Sequence, residues 1–189
     1  NANKIKNFAL LAPSIIDEKD KNYGFFQKNN ILNKDNKNNL FEVDFVKGFA
    51  MFFNKKKFKK IKFFDEKIFL YLEEIDLCKR IKDAGEKNYI VPSAKIYHAG
   101  GMSHDLKFSY ELELSRNWHW MWSLFYYNKK HYGFFCAFKI TIGKLISSFF
   151  KFIFYIFVFR IDKSKIYLCR LLGLINSYLN RPSTYRPKV

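Results

Sequence analysis

Apolar and polar positions alternate cleanly in one short stretch, Phe41-Glu42-Val43-Asp44-Phe45-Val46, and a period of two predicts a half-buried strand there. Gly48 follows, then a second apolar run from Phe49 to Phe53. Lys55 to Ile61 suits a short basic helix, after which Phe63-Phe64 returns the chain to the core. From Glu73 to Ala84 the apolar positions Ile75, Cys78 and Ile81 recur at helical spacing, and Gly85 is placed as the residue just past the helix end. Tyr89-Ile90-Val91 predicts a strand interrupted by Pro92, with a second short strand ending at His98. Upstream, Phe8-Ala9-Leu10-Leu11-Ala12 predicts a strand halted by Pro13, and the Asn/Lys/Asp-rich stretch from Asp17 to Asn39 reads as a long loop.

Beyond residue 105 the pattern changes. Phe108 to Tyr127 predicts a helix with Leu112, Trp118, Trp122 and Phe125 on its apolar side. Residues 134–159 are almost wholly apolar and aromatic, broken by Lys139, Lys144 and Lys151. A spanning helix needs about 20 such residues, but a central lysine costs roughly 2.5–3.5 kcal/mol on insertion scales. Lys144 and Lys151 are seven apart and share a helical face, which favours a helix lying in the membrane interface over one crossing it. The tail Arg181-Pro182-Ser183-Thr184-Tyr185-Arg186-Pro187-Lys188 is polar and reads as disordered. These shifts divide the chain into an α/β part, 1–105, and a helical, membrane-associated extension, 106–189.

The net charge of +17 favours anionic surfaces such as phospholipid headgroups, nucleic acid or pyrophosphate, although AT-rich codon usage would also enrich Lys, Asn, Ile and Phe. Cys78, Cys136 and Cys169 are widely spaced and odd in number, which indicates neither a disulfide framework nor a zinc site and fits a reducing compartment. No signal segment opens the chain, which begins at Asn1 in what reads as mid-domain sequence, as if cut from something longer.

Against that basic background, Glu73, Glu74 and Asp76 stand out: three carboxylates within four residues where an aromatic run ends and a helix begins. First-turn acids favour the helix dipole without further purpose. A carboxylate placed beside a substrate hydroxyl, with a pKa near neutrality, also suits a general base. Arg80 stands one turn after Asp76, as an ion-pair partner at i,i+4 or as a phosphate fork. His98 is either a hydrogen-bonded strand-end histidine or a metal ligand, and His104 and His119 have weaker claims. Gly48 suits a tight turn or close approach to a sugar. Trp118, Trp120 and Trp122 read as a core or membrane-facing stripe before a sugar platform.

The central zone resembles the C-terminal half of family 2 glycosyltransferases, rhamnosyltransferase-like members above all. The resemblance rests on Val43-Asp44-Phe45-Val46-Lys47-Gly48-Phe49-Ala50-Met51, on Phe64-Asp65-Glu66, and on Phe69-Leu70-Tyr71-Leu72-Glu73-Glu74-Ile75-Asp76-Leu77-Cys78-Lys79-Arg80. Gly85, Pro92-Ser93-Ala94-Lys95-Ile96-Tyr97-His98 and Gly101-Met102-Ser103 continue it in order, over about a third of the chain, and residues 7–13 look like the family strand ahead of its central loop. It implies an α/β fold: the C-terminal part of a GT-A, Rossmann-like nucleotide-diphospho-sugar transferase domain, followed by the apolar helical extension. It implies inverting transfer of a sugar such as rhamnose from a nucleotide donor to a glycan or polyprenyl-diphosphate-linked acceptor, at the cytoplasmic membrane face.

By that resemblance Glu74 stands at the catalytic base, where the family has Asp, and Glu73 and Asp76 accompany it. Gly48 and Arg80 would meet substrate, and His98 would help hold Mn²⁺ or Mg²⁺. The family's nucleotide-binding strands and Asp-x-Asp motif precede the matching region, and no Asp-x-Asp occurs in this chain. The alternatives are a non-catalytic remnant or membrane-associated partner lacking the donor half, and a nucleic-acid-binding module. No nucleic-acid motif accompanies the lysines, and nucleic acid is not expected as a partner.

Overall fold

The computed structural model describes residues 8–16, 22–27, 33–35, 39–98 and 108–187. His104, Gly101-Met102-Ser103 and most of the expected loop from 17 to 39 lie outside them. The protein is mixed α/β and divides into two compact units. One holds the chain up to Asp65 and from Glu73 to residue 100. The other holds Glu66–Leu72 and the chain from 101 onward. The division thus differs from a single boundary at 105: Glu66–Leu72 belongs with the helices, because Ile68 is buried and Leu70 O accepts from Ser123 Oγ at 2.8 Å.

In the first unit the strands are β1 (Leu10–Ile15), β2 (Tyr23–Gly24), β3 (Asn33–Asp35), β4 (Leu40–Val43), β5 (Phe45–Val46), β6 (Phe52–Phe53) and β7 (Asn88–Ile96), with helices α1 (Phe58–Ile61) and α2 (Glu73–Asp83). Five strands form one sheet in the order β3-β4-β7-β1-β6, and β2 pairs with β5 in a separate ribbon. β1 and β7 run parallel at the sheet's centre, and the other neighbours pair antiparallel.

Period-two alternation sorts β1 between two cores. Leu10 and Ala12 pack with Val43, Ile90 and the buried face of α2, namely Leu77, Cys78 and Ile81. Leu11 turns to the opposite face, beside Phe8, Leu40 and Tyr89. A central strand covered on both faces needs this continuous apolar run, and each fully buried Leu or Ile adds about 1.5–3 kcal/mol relative to exposure.

Neither proline ends its strand. Pro13 pairs with Val91, the register then jumps so that Ser14 pairs with Lys95, and Pro92, Ser93 and Ala94 form the bulge in β7. A bulge is where a strand tolerates residues that cannot donate to the ladder. The two strands expected on either side of Pro92 are therefore one.

Helix α2 ends as its sequence requires. Gly85 has φ +74°, its N–H donates to Lys82 O, and Glu86 N–H donates to Ile81 O, the paired bonds of a Schellman cap.

The second unit is built on three helices, α3 (Ser109–Tyr132), α4 (Phe134–Phe157) and α5 (Ile161–Tyr178). Trp118, Trp122 and Phe125 are buried, as the spacing predicts, but Leu114 enters the core where Leu112 is only half-buried. Gly133, with φ +85°, is the sole residue between α3 and α4. At Gly173 the helices α3 and α5 touch backbone to backbone: a Cβ there would lie 2.3 Å from Trp118 O.

Helix α4 is long and apolar enough to cross a membrane, and only 11% of its most apolar 18 residues are buried. Its inward positions are small, Ala137, Thr141 and Ser148, while Phe135, Phe150, Phe154 and Phe157 are exposed.

The tail after α5 packs against this unit as far as Arg186, which lies over Phe69, where a disordered segment is expected from its polarity. Its carbonyls and hydroxyl satisfy buried groups on α3. Trp122 Nε1 donates to Arg181 O at 3.0 Å, and His119, fully buried, bonds Tyr185 O through Nε2 and Ser183 Oγ through Nδ1, both at 2.8 Å. Tyr185 stacks on Trp118 with ring centroids 6.0 Å apart.

Candidate functional site

The acidic cluster opens α2. Tyr71 and Leu72, just before it, both have positive φ, +68° and +69°. Two successive non-glycine residues in the left-handed region hold strain of about 1–3 kcal/mol each, a cost that recurs where geometry serves function. The helix starts at Glu73.

Glu73 and Glu74 are half-buried, and the Oε2 atom of each is fully enclosed without a hydrogen-bond partner among the described residues. Burial raises the carboxyl pKa of both. For Glu73 a bond from its own N–H opposes the rise and the neighbouring charge of Glu74 adds to it. For Glu74 the opposing bonds come from its own N–H and that of Ile75. An enclosed acceptor with nothing donating to it is costly, and in a native fold it calls for an explanation.

Gly48, in the turn after β5, adjoins Glu74. A Cβ on Gly48 would stand 3.5 Å from Glu74 Cβ and 3.7 Å from Cγ. That is ordinary contact, and the backbone of Gly48 lies outside the left-handed region, so neither sterics nor strain demands glycine here. What glycine leaves is room for one methyl group beside the Glu74 side chain. The next residue, Phe49, stacks flat on His98 with ring centroids 4.3 Å apart and an interplanar angle of 11°. The Gly48-Phe49 turn therefore touches two of the residues singled out from sequence, Glu74 and His98. His98 itself is exposed.

Asp76 and Arg80 do not join them. Asp76 is fully buried and accepts from Arg80 Nε at 2.9 Å. The same guanidinium donates to Ile61 O at 2.7 Å, Lys62 O at 3.2 Å and Phe63 O at 2.6 Å. Those are carbonyls at and after the end of α1, which a cation satisfies well. Arg80 is a structural clamp rather than a phosphate fork, and Asp76 orients it.

For a metal ion the fit is poor. Among the described residues no three His, Cys, Asp or Glu side chains gather to hold one, and one face of the His98 ring is covered by Phe49. Cys78 is buried on the inner face of α2, and burial pushes its thiol up to about 12, which removes it as a nucleophile.

Sequence reasoning missed Asp44. It is buried between β4 and β5, accepts from Phe26 N–H at 2.8 Å and pairs with Lys82 of α2, while Asn88 Nδ2 donates to its backbone carbonyl at 2.9 Å. In the alternating run it occupies a polar position, so nothing in the pattern distinguishes it from a solvent-facing residue. The positive φ values at Tyr71 and Leu72 carry no sequence signal either, since neither residue type favours them.

What this arrangement offers chemically is a carboxylate of raised proton affinity with one enclosed oxygen, unpartnered among the described residues, beside a glycine, with a second carboxylate next to it. Comparison of the chain with protein-family models, curated proteins and solved structures returned no match.

Proposed function

We propose that this chain carries the acceptor side of an inverting glycosyltransferase, with Glu74 as the general base. The observation that carries the reading is the enclosed Glu74 Oε2, which has no partner and a raised proton affinity beside the space left by Gly48. A hydroxyl donor entering that space supplies the missing hydrogen bond. Glu74 then takes the hydroxyl proton as the acceptor oxygen forms its bond to the anomeric carbon, and the bond from that carbon to the nucleotide diphosphate breaks on the opposite face. Glu73, its Oε2 likewise unpartnered, accepts a second acceptor hydroxyl and orients it. The donor is a nucleotide sugar bound by the half that, in the resembling family, precedes this region.

In the same reading helix α4 lies in the bilayer interface of the cytoplasmic face, its uncovered aromatic surface in lipid and Lys144 and Lys151 among headgroups. A lipid-linked or surface-polysaccharide acceptor would meet the enzyme there.

The test uses the natural full-length protein in membranes of its source cells, assayed for transfer of labelled sugar into lipid-extractable product. Glu74→Gln is expected to lower turnover by at least about 100-fold, the scale of a lost general base, with a melting temperature no lower than that of the unaltered protein, and Glu74→Asp to retain measurable transfer. Full turnover in Glu74→Gln removes Glu74 as the base. Absence of transfer by the unaltered protein favours the non-catalytic reading.

A further inference from the structure

The helical unit has a cleft of about 370 Å³ whose lining includes none of the acidic cluster. Its size lies within the range of small-ligand sites. Trp122 and Tyr126 form one wall, stacked at 4.9 Å and 17°. Lys67, Arg181 and Arg186 bring three cations to the lining, against the single carboxylate of Glu66.

The two arginines are held differently. Arg186 lies over the Phe69 ring at 3.6 Å and donates through Nη1 to Ser183 O and Tyr185 O, so its charge is fixed in place without a carboxylate partner among the described residues. Arg181 is set by the α5 cap: Asn180 has φ +55°, Asn180 N–H donates to Ser177 O, and Arg181 N–H donates to Asn176 O. Its guanidinium has no partner among the described residues. One guanidinium held in place and one left unpaired beside it suit phosphate recognition.

The cleft's place in the unit says which phosphate. It sits at the C-terminal end of α5, where Tyr178 OH and Thr141 Oγ1 of α4 are 2.9 Å apart and Lys129 of α3 bonds Asn180. That is the end of the unit at which α4's exposed apolar surface begins, with Phe134, Phe135 and Phe138. With α4 in lipid, as proposed above, a phosphate at that end lies beside the headgroups.

We propose that this cleft binds the phosphate-bearing headgroup of an anionic lipid. Arg181 and Arg186 meet the phosphate oxygens, Lys67 adds charge, and Trp122 and Tyr126 flank the headgroup at the depth where aromatic side chains settle in bilayers. The assignment rests on the membrane placement of α4 proposed above and stands whether or not Glu74 is a base.

The experiment uses the whole chain in neutral detergent, titrated against fluorescently labelled phosphatidylglycerol and, separately, labelled phosphatidylcholine, read by anisotropy. The anionic lipid should bind saturably and at least about tenfold tighter, and Arg181→Gln and Arg186→Gln should each weaken it at least about fivefold. Arg181→Gln removes no side-chain bond among the described residues, so a folding effect is not expected. Lys163→Gln with Lys165→Gln removes two charges at the other end of α5, about 25 Å away at 1.5 Å per residue, and should change affinity less than twofold. Equal binding of both lipids overturns the proposal, as does equal weakening by the distant pair, which would mean general charge attraction. Displacement of the probe by low-millimolar inorganic phosphate also overturns it, assigning the cleft to free phosphates.

Discussion

Gly48 leaves room for one methyl group beside Glu74, whose Cβ is 3.5 Å from where a Gly48 Cβ would stand. The missing methyl group, rather than an unusual backbone angle, is what the glycine contributes at this position. Gly48→Ala therefore separates stability from function. At a backbone that alanine adopts freely the exchange stabilises by about 0.4–1 kcal/mol. Filling the gap should nevertheless lower kcat/KM for sugar transfer by about 10- to 100-fold, since misplacement of a reacting group by about 1 Å costs that much. Thermal melting and transfer kinetics on one variant decide it, and unchanged transfer would divorce Gly48 from the site.

Glu74 should also burden the fold it serves. Its carboxyl pKa is raised in the folded state, so folding favours the protonated form, and stability falls as pH rises from the unfolded value, about 4.5, through the higher folded one. Glu74→Gln removes that loss. The melting temperature of the variant should exceed that of the unaltered protein at pH 8, and the difference should shrink toward pH 4. A variant less stable at pH 8 would show that the carboxylate is held by partners after all.

His119 gives the opposite slope. Its imidazole is buried between the tail and α3, and burial lowers its pKa, with the nearby Arg186 charge adding to the effect and the bond to Tyr185 O opposing it. Nε2 donates to that carbonyl and Nδ1 accepts from Ser183 in the neutral ring. The stability this provides is complete above the unfolded pKa of about 6.5 and is lost as pH falls toward the lower folded value. Ser183→Ala, which leaves Nδ1 unbonded in a buried site, should cost about 1–3 kcal/mol by chemical denaturation at pH 8. His119→Gln should flatten the acid limb of the stability profile between pH 7 and 5.

Gly173→Ala should destabilise the helical unit. The new methyl would meet Trp118 O at 2.3 Å and Trp118 C at 3.1 Å, both backbone atoms that cannot rotate away, so α3 and α5 must part. Overpacking of this kind costs about 1–3 kcal/mol. Gly143→Ala in α4 is the matched control: nothing lies within 4 Å, and alanine in a helix interior should stabilise by about 0.5–1 kcal/mol.

Side-specific cysteine labelling distinguishes an interfacial α4 from a spanning one. Cys136 is exposed near the helix start and Phe157 is exposed at its end. Those positions are about 30 Å apart at 1.5 Å per residue, the thickness of a hydrocarbon core. Cys136 and a Phe157→Cys variant should both react with an impermeant reagent from the cytoplasmic side. Protection of either one until the opposite face is opened would mean that α4 crosses.

Strong periodicity makes α2, α3, α4 and the Gly85 cap legible in the sequence, because each is specified by residues within a turn or two of one another. The Asp76–Arg80 pair is legible for the same reason. Pro13 and Pro92 mislead because each, read alone, ends a strand, whereas the bulge depends on two strands distant in sequence coming together, where Ser14 Oγ reaches Pro92 O at 3.5 Å. The tail misleads because its polarity says nothing of His119 and Trp122, the buried donors and acceptors it answers. At the candidate site, the pairing of Gly48 with Glu74 and of Phe49 with His98 is tertiary and leaves no trace in spacing.

The four bonds of Arg80 have a consequence for how this chain tolerates change. One guanidinium gathers three successive carbonyls, Ile61, Lys62 and Phe63, and holds them to the helix that opens with Glu73 and Glu74. Lys62 sits there with φ +64°, a conformation that side chains other than glycine rarely adopt. A lysine at position 80 would keep the charge but, as a single ammonium without a planar fork, could not span the same acceptors. Basic residues that meet only water can drift in identity, while this one is locked by geometry, a fixed rivet in an otherwise replaceable coat of positive charge.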